Sequence, residues 1–574
     1  MAFGALVVAL AAGVVSTENA FSGFGHPATV IIALVLIVSR GLSNSGAIEM
    51  VARHVVSGTR TIGLHIGFMA GIGAAMSGLM NNVAALALLM PVDMEAAEKA
   101  ERSPALTLMP LSFATILGGM VTLIGTPTNI VVATFRGDAL GEPYGMFDFA
   151  AVGGVVAIAG VLFVATIGWR LLPAERGKHN VGQELQDLEG YIAEARVSED
   201  SSAVGERLQD LYPLAEEHDL AILGLIRNGK RLPGTARREE IRADDLLVME
   251  GSAEAMEKFV GAAKLEHLGT KRTAGSAGNP LTLTEVVVPQ GARIDGRTAM
   301  SLQLAYRHGV MLLGVSRQGR PFRDRVRKLQ IQAGDILLLS GPEDRLAEAT
   351  TWLGCLPLAE RGLRMLQRKK AWLAIGLFTA AITAASTGVL YLPVALAAAA
   401  LLYVLLGLVP AKQLYESVEW PVIVLLGSLI PIGKALESSG GTALIAQSIV
   451  DWTQGMSPIA VLVILMIVTM TMSDILNNVA TALIAAPIAI EVANGLPVNE
   501  GWQVSPDPFL MAVAVAASCA FLTPIGHKNN TIIMGPGGYR FGDYWRMGLP
   551  LEILVVAVSV PMILLVWPIL LPLH

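Results

Sequence analysis

Two short stretches constrain this chain more than any other feature. "SGLMNNVAALALLMP" (Ser77–Pro91) returns 396 residues later as "SDILNNVATALIAAP" (Ser473–Pro487). Each copy sets a serine and an Asn-Asn pair inside sequence apolar enough for a lipid bilayer. Hydrocarbon offers no partner to an amide or to broken helix backbone. Such groups persist at membrane depth only when buried in protein or lining a wet cavity.

The bilayer setting follows from composition. Of 574 residues, 53% are hydrophobic and 15% charged, against about 25% charged in soluble domains. The charge is concentrated, with 29 of the 41 Lys and Arg between Pro173 and Trp372. The pattern is that of a membrane protein with a soluble insert. A net charge of −6 gives no reason to expect a nucleic-acid partner. Cys355 and Cys519 lie in different regions and set no disulfide framework. Met1–Val15 lacks a basic leading region, so it reads as a first transmembrane helix rather than a signal peptide.

Apolar runs long enough to span, or nearly so, fall at about 3–15, 28–42, 151–172, 372–389, 391–409, 421–436 and 549–571. Four further apolar segments are interrupted. Residues 62–93 and 457–493 carry the Ser/Asn-Asn clusters and predict re-entrant hairpins. Residues 106–134 are broken by "GTPTN" (Gly125–Asn129), and residues 509–537 by "TPIGHKNN" (Thr523–Asn530).

These segments belong to an internal repeat. "RGLSNSG" (Arg40–Gly46) matches "KALESSG" (Lys434–Gly440) at an offset of 394, the hairpins match at 396, and Gly125 and Asn129 match Gly526 and Asn530 at 401. The first repeat covers 1–174 and the second 371–574. Arg53, Arg60, Lys99 and Arg102 flank the first hairpin and predict cytoplasmic ends, whereas residues 438–456 and 492–507 contain no Lys or Arg. The second hairpin should therefore enter from outside, which makes the repeats inverted, with a binding site near the midplane. The helix at 372–389 has no counterpart before the first repeat, so the N-terminal half reads as one span short.

The insert also repeats. "LAILGLIRNGKRL" (Leu220–Leu232) matches "VMLLGVSRQGRPF" (Val310–Phe322), and "IRADDLLVMEG" (Ile241–Gly251) matches "IQAGDILLLSG" (Ile331–Gly341), both at an offset of 90. Each unit reads as strand, Gly turn, strand, Asp, apolar strand and helix. The modules lie at 191–265 and 280–355. Arg361, Arg364, Arg368, Lys369 and Lys370 precede the return to the membrane and predict that 174–370 is cytoplasmic.

A hairpin tip at membrane depth exposes carbonyls that, with hydroxyl and amide oxygens, suit Na⁺. Helix N-termini and Asn NH₂ groups suit an anion. Ser77, Asn81, Asn82, Gly125, Thr126 and Asn129 form one such set. Ser and Asn that only glue helices together are the ordinary alternative, worth about 0.6–2 kcal/mol per contact. Two matched clusters, each followed by its own Gly/Asn break, favour a transport site.

The paired hairpins, "GTPTN" and the ending "TPIGHKNNTIIMGPGGYRFGDYWRMG" (Thr523–Gly548) resemble the divalent anion:sodium symporter family of the ion transporter superfamily. The branch they resemble carries inserted TrkA-C (RCK-C) domains, which the twin modules resemble. The resemblance implies a homodimer in the cell (inner) membrane, a small dianion as substrate and Na⁺ as coupling ion. It carries the family's Ser-Asn-Thr hairpin motif onto Asn81-Asn82-Val83 and Asn477-Asn478-Val479. Its sodium-ligand Ser/Thr falls on Ser77 and Ser473, and its loop glycine on Gly125 and Gly526. The chain departs from the motif by losing a Ser and a Thr hydroxyl in each hairpin, and the second loop reads His527-Lys528-Asn529-Asn530.

The expected substrate contacts are Asn81, Asn82, Thr126, Asn477, Asn478, His527, Lys528 and Asn529. The expected cation contacts are Ser77, Asn81, Asn82, Gly125, Asn129, Ser473, Asn477 and Gly526. Lys528 needs a partner or water at membrane depth. Asp474 offers the first, leaving Lys528 as a built-in cation where the second sodium would sit, and snorkelling offers the second. His527 is either a proton-linked group or a structural donor. Met76, Met80 and Met90 fit helix packing. "GPGGYRFGD" (Gly535–Asp543) lacks the context of a nucleotide cradle.

The sequence therefore predicts an α-helical polytopic membrane protein with inverted repeats, two re-entrant hairpins, two broken helices and a cytoplasmic α+β insert. No catalytic constellation appears, so an enzyme is not expected, and no cofactor beyond Na⁺ (or H⁺) is called for. The predicted activity is secondary transport of a small divalent oxyanion, sulfate first, with a regulatory insert that has room for a small-molecule ligand. Dicarboxylate, citrate and arsenite-type carriers are the near rivals. An RCK-gated channel is the rival from another class, although no filter-like "TVGYG" is present.

Overall fold

The computed structural model describes residues 2–45, 61–100, 102–173, 191–217, 220–227, 230–231, 239–251, 253–267, 282–317, 320–322, 326–341, 343–358, 368–497 and 502–572. Arg53, Arg60, Arg361 and Arg364, used above to orient the chain, lie outside them. The chain forms two compact units, residues 1–179 with 360–574, and residues 180–359.

In the larger unit, α1 (Ala2–Ala11), α2 (Pro27–Asn44), α3 (Ile62–Ser77), α4 (Asn82–Lys99), α5 (Ala105–Gly119), α6 (Pro127–Leu140) and α7 (Ala150–Thr166) come first. Then follow α8 (Arg368–Ser386), α9 (Leu392–Leu405), α10 (Trp420–Ser438), α11 (Gly441–Trp452), α12 (Pro458–Ser473), α13 (Asn478–Gly495), α14 (Pro506–Ser518), α15 (Lys528–Met534) and α16 (Tyr544–Val566). Among the described residues, four helical stretches are long and apolar enough to cross a membrane: Pro27–Asn44, Trp420–Ser438, Asn478–Gly495 and Phe541–Val566.

Both predicted breaks fall where the polar clusters stand. The hairpin helices stop at Ser77 and Ser473 and resume at Asn82 and Asn478, while the second pair breaks between α5 and α6 and between α14 and α15. Each restart has a local cause. Asn81 Oδ1 accepts the Val83 N–H at 2.8 Å, and Asn477 Oδ1 accepts the Val479 N–H at 2.9 Å, so the first Asn of each pair acts as an N-cap.

Helices α5 and α14 are buried almost throughout their length, as expected of helices that are apolar on every face. α3 packs closely on α5, because a Cβ on Gly118 would lie 2.1 Å from Ala74 O. This is the small-residue contact that lets membrane helices approach. Across the repeats, Phe113 meets Phe521 at 4.9 Å between ring centroids. Met80 and Met90 are buried and Met76 packs beside Met80, as packing residues.

The second unit contains two five-stranded antiparallel sheets. In the first, β1 (Tyr191–Val197), β2 (Ala221–Arg227), β3 (Lys230–Arg231), β4 (Leu246–Gly251) and β5 (Leu265–His267) run in the order β3-β2-β4-β1-β5. In the second, β6 (Thr282–Val287), β7 (Met311–Arg317), β8 (Arg320–Phe322), β9 (Ile336–Gly341) and β10 (Leu356–Pro357) run β8-β7-β9-β6-β10, the same topology. Even the irregularities match: the register shifts between Ile222 and Gly224 in one sheet and between Leu312 and Gly314 in the other.

The repeated aspartate has a specific job. Asp245 accepts from Arg227 Nε at 2.8 Å and Nη2 at 2.7 Å, and Asp335 accepts from Arg317 at the same two distances. These bidentate bonds raise both arginine pKa values further above the usual range. Each Asp also accepts a turn N–H, from Arg242 or Gln332.

Cys355 reports on this second core. It is buried in the cluster that contains Leu337 and Leu346, and burial pushes its thiol up to about 12, so labelling requires opening. Asp335 is 1% exposed and Arg317 24%, so removing the carboxylate should cost about 2–3 kcal/mol, below the value for a fully buried pair. In a Cys519→Ala background, Asp335→Ala should raise the rate of Cys355 maleimide labelling about 30- to 150-fold. An unchanged rate would mean that the ion pair does not hold the module closed.

Candidate functional site

The site is framed by a bond that occurs in both repeats. After α3 ends, the carbonyl of Gly78 accepts the Thr122 hydroxyl, and after α12 ends, the carbonyl of Asp474 accepts the Thr523 hydroxyl at 2.7 Å. The loop threonine is itself held in place. Asn129 Nδ2 donates to Thr122 O at 2.9 Å, and Asn530 Nδ2 donates to Thr523 O at 3.1 Å. Each hairpin break is thus locked to the break of its neighbouring helix.

The loop glycines are needed for close approach. A Cβ on Gly125 would stand 2.4 Å from Gly119 O, and one on Gly526 would stand 2.9 Å from Ala520 Cβ and 3.0 Å from Asp474 Cα. Neither position has room for a side chain.

The second broken helix reaches across to the first repeat. Asn529 Nδ2 donates to Thr115 Oγ1 at 2.9 Å and to Asn82 O at 3.2 Å, and Ser112 donates to Asn530 Oδ1 at 3.0 Å. His527 Nδ1 accepts the Asn529 N–H at 3.0 Å, so the ring proton belongs on Nε2, which faces the Asn82 amide at 3.4 Å. The Asn82 atom at that distance is Nδ2, so a hydrogen bond from a protonated Nε2 requires the Asn82 amide to be turned over. Asn82, Thr115, His527 and Asn529 form one polar group between the repeats. Thr126 is buried within the first loop, with its hydroxyl 3.4 Å from that of Thr128.

The two serines differ. Ser473 Oγ lies 2.6 Å from Ala517 O and 3.1 Å from the Asn478 amide. Ser77 Oγ is fully buried with no hydrogen-bond partner among the described residues. Such a group is expensive to leave unmatched, and an oxygen ligand for a cation is one way to match it. Asn478 is buried, while Asn477 caps its helix from an exposed position.

Lys528 does not pair with Asp474. Its ammonium meets Glu419, beside the start of α10, and the two side chains are 36% and 30% exposed. Asp474 is 3% exposed and instead accepts the Leu522 N–H at 2.9 Å. The lysine is the first residue of α15, on a flank that solvent-sized space reaches, whereas Asp474 is enclosed. The basic residue of the other matched helix end, Lys434, lies 3.8 Å from Asp138 with both side chains exposed.

Three features carry no signal at the level of sequence spacing. His65 Nε2 meets Asp93 Oδ1 at 2.7 Å while Asp93 Oδ2 accepts from Thr107 at 2.5 Å, all buried. Arg136 binds Asp507 at 2.6 Å, under Tyr144 and Trp567. The Tyr539 hydroxyl accepts the Met109 N–H at 3.0 Å and donates to Ala105 O. It thereby inserts into the ladder of α5, which gives the "GPGGYRFGD" turn a structural use.

Comparison with known proteins supplies the class. The CitMHS (citrate transporter) family profile matches residues 1–506. The chain belongs to the citrate transporter family. It is 30% identical to the uncharacterised transporter sll0640 of Synechocystis, over 98% of this chain and 92% of that one. It is 29% identical to the uncharacterised transporter YfbS of Escherichia coli, over 98% and 95%. A probable sodium/sulfate cotransporter 3 of Chlamydomonas reinhardtii is 25% identical over 57% of this chain and 38% of its own. The protein is a multi-pass membrane transporter in the anion-transporter group.

The close approach at the first loop can be tested directly. Gly125→Ala forces Cβ against backbone, whereas a Cβ on Gly154 of α7 meets nothing within 4 Å. In purified transporter Gly125→Ala should lower the unfolding midpoint by about 1 °C for each kcal/mol of strain, and Gly154→Ala should leave it in place. Equal midpoints for the two variants would contradict the packing described here.

Proposed function

We propose that the chain is a secondary carrier of a small divalent oxyanion, sulfate first, coupled to Na⁺. The observation that supports this best is the locked pair of helix breaks, with Asn82, His527 and Asn529 between the repeats and an orphaned Ser77 hydroxyl at the end of α3. Amide NH₂ groups and helix N-termini suit an oxyanion, and hydroxyl and carbonyl oxygens suit Na⁺. Relatives named sodium/sulfate cotransporters agree with this pairing of ions.

In this reading Ser77, Gly125 and Asn129, with Asn81 and Asn82, hold the first cation. Asn82, Thr126, Asn478, His527 and Asn529 face the anion. Lys528, with its charge matched by Glu419, flanks that face rather than replacing a sodium. The halves are inverted repeats of the divalent anion:sodium symporter type, which makes the two hairpins re-entrant from opposite sides of the cell membrane. The insert is a pair of TrkA-C-like modules on the cytoplasmic side that regulates rate and can take a small-molecule ligand. The carrier works as a homodimer.

A second reading is an organic dianion, because the family's own name is citrate transporter. A proton is the second choice of coupling ion. Uptake of labelled sulfate, succinate and citrate into proteoliposomes, under a Na⁺ gradient or a proton gradient, separates these readings. Sulfate uptake driven by Na⁺ is expected. Ser77→Ala with Asn129→Ala should raise the Na⁺ concentration for half-maximal uptake by at least about tenfold, the loss seen when support of a cation site is removed. An unchanged Na⁺ dependence in folded protein would refute the cation assignment, and transport of citrate alone would refute sulfate.

A further inference from the structure

One short motif recurs shortly after both broken helices. "YGMFDF" (Tyr144–Phe149) follows α6, and "YRFGDY" (Tyr539–Tyr544) follows α15, at an offset of 395. The two copies fold alike. The residue after the tyrosine donates its N–H to the aspartate, Gly145 to Asp148 Oδ2 at 2.7 Å and Arg540 to Asp543 Oδ2 at 2.8 Å. The tyrosine packs edge-on against the last ring of the motif. Centroids are 5.1 Å apart at 64° in the first copy and 5.9 Å apart at 66° in the second. The motif thus aims one buried tyrosine in each half of the larger unit.

Each hydroxyl crosses to the other half. Tyr144 donates to Asp507 O at 3.0 Å, in the first turn of α14, and Tyr539 donates to Ala105 O, the first residue of α5. α5 and α14 are the leading segments of the two broken helices, so each half holds the start of the other's. Both contacts are reinforced. Arg136 of α6 binds the Asp507 carboxylate at 2.6 Å, and the Tyr539 hydroxyl also accepts the Met109 N–H at 3.0 Å. The second clamp closes into a ring of contacts. Just beyond Met109, Ser112 donates to Asn530 Oδ1 at 3.0 Å, and Tyr544, at the end of the motif, donates to Asn530 O at 2.6 Å. Thr115, on the same helix, receives the Asn529 amide at 2.9 Å.

Hydrogen bonds that merely glue helices together need no such reciprocity. These two share motif, turn, ring geometry and target. We propose that Tyr144 and Tyr539 are reciprocal positioning residues, each fixing the start of the other half's broken helix so that the two breaks keep one spacing. Removing the Tyr539 hydroxyl lets Met109 N return to Ala105 O, the ordinary helical bond. α5 then loses the bend that an inserted side chain imposes, and Ser112 and Thr115 shift against Asn530 and Asn529. Removing the Tyr144 hydroxyl leaves the start of α14 without its backbone tie, held by Arg136 through the side chain. The inference rests on the carrier reading only in saying that the spacing serves ion binding.

Tyr144→Phe and Tyr539→Phe remove the hydroxyls and keep the rings, and Tyr403→Phe is the control. Tyr403 is likewise buried and donates to a carbonyl, Ala374 O at 2.7 Å, but it joins α8 and α9, which carry neither break. Hydrogen exchange in the purified full chain is the first readout. Tyr539→Phe should speed exchange of the amides at 119–126, and Tyr144→Phe those at 519–527, each about 2- to 12-fold, the effect of one hydrogen bond. Tyr403→Phe should leave both stretches at the wild-type rate. The second readout is ²²Na⁺ binding without any anion, which a bond of purely structural use does not move. Both clamp variants should bind Na⁺ more weakly by a factor in the same range, and the control should bind as wild type does. Unchanged exchange at the opposite break, or equal acceleration in Tyr403→Phe, would overturn the clamp. Wild-type Na⁺ affinity in both clamp variants would overturn its role in positioning the site. A wild-type chain that binds no Na⁺ would count against the carrier reading, and the exchange rates would still decide the clamp.

Discussion

Where each hairpin helix stops, the carbonyl of the next residue is taken by a hydroxyl of the neighbouring break, through one hydrogen bond in each half of the chain. Thr122 reaches the carbonyl of Gly78, and Thr523 reaches that of Asp474. Each threonine is held in turn by an asparagine two residues into the next helix, Asn129 or Asn530. The breaks are therefore coupled in pairs, and a site placed at one of them is supported by the other. Gly125 and Gly526 exist to permit this, since a side chain at either position would strike the preceding chain.

Specific chemistry appears where the symmetry lapses. Ser77 is orphaned while Ser473 is bonded, Gly78 is replaced by Asp474, and the Thr126-Pro127 of one loop becomes His527-Lys528 in the other. The shared scaffold sets position, and in the carrier proposed here the unequal residues would set which ion is held where. A carrier that moves an anion with cations needs such inequality, because two identical half-sites would offer the same ligands to both charges.

Much of the membrane unit was legible in its sequence because the signals were local. An Asn-Asn pair in an apolar run marks a helix restart, and Asn81 and Asn477 serve as caps in the way such residues do. The strands of the insert followed from alternation and Gly turns. What was not legible depends on long-range contact. Glu419 lies 109 residues from Lys528, and nothing in spacing favours it over Asp474. Asn529 could be read as polar, but not as the residue that reaches Thr115 and Asn82 across the repeats.

The central claim is that anion and cation meet at the locked breaks and bind as one unit. Thermodynamic linkage then requires that each ion raise the affinity of the other by the same factor. The most direct measurement is equilibrium binding of labelled sulfate to the purified protein across a series of Na⁺ concentrations, together with ²²Na⁺ binding across a series of sulfate concentrations. The account predicts equal factors in the two directions, at least about fivefold, the lower end of ordinary coupling between sites. Sulfate affinity that does not change with Na⁺ would contradict it.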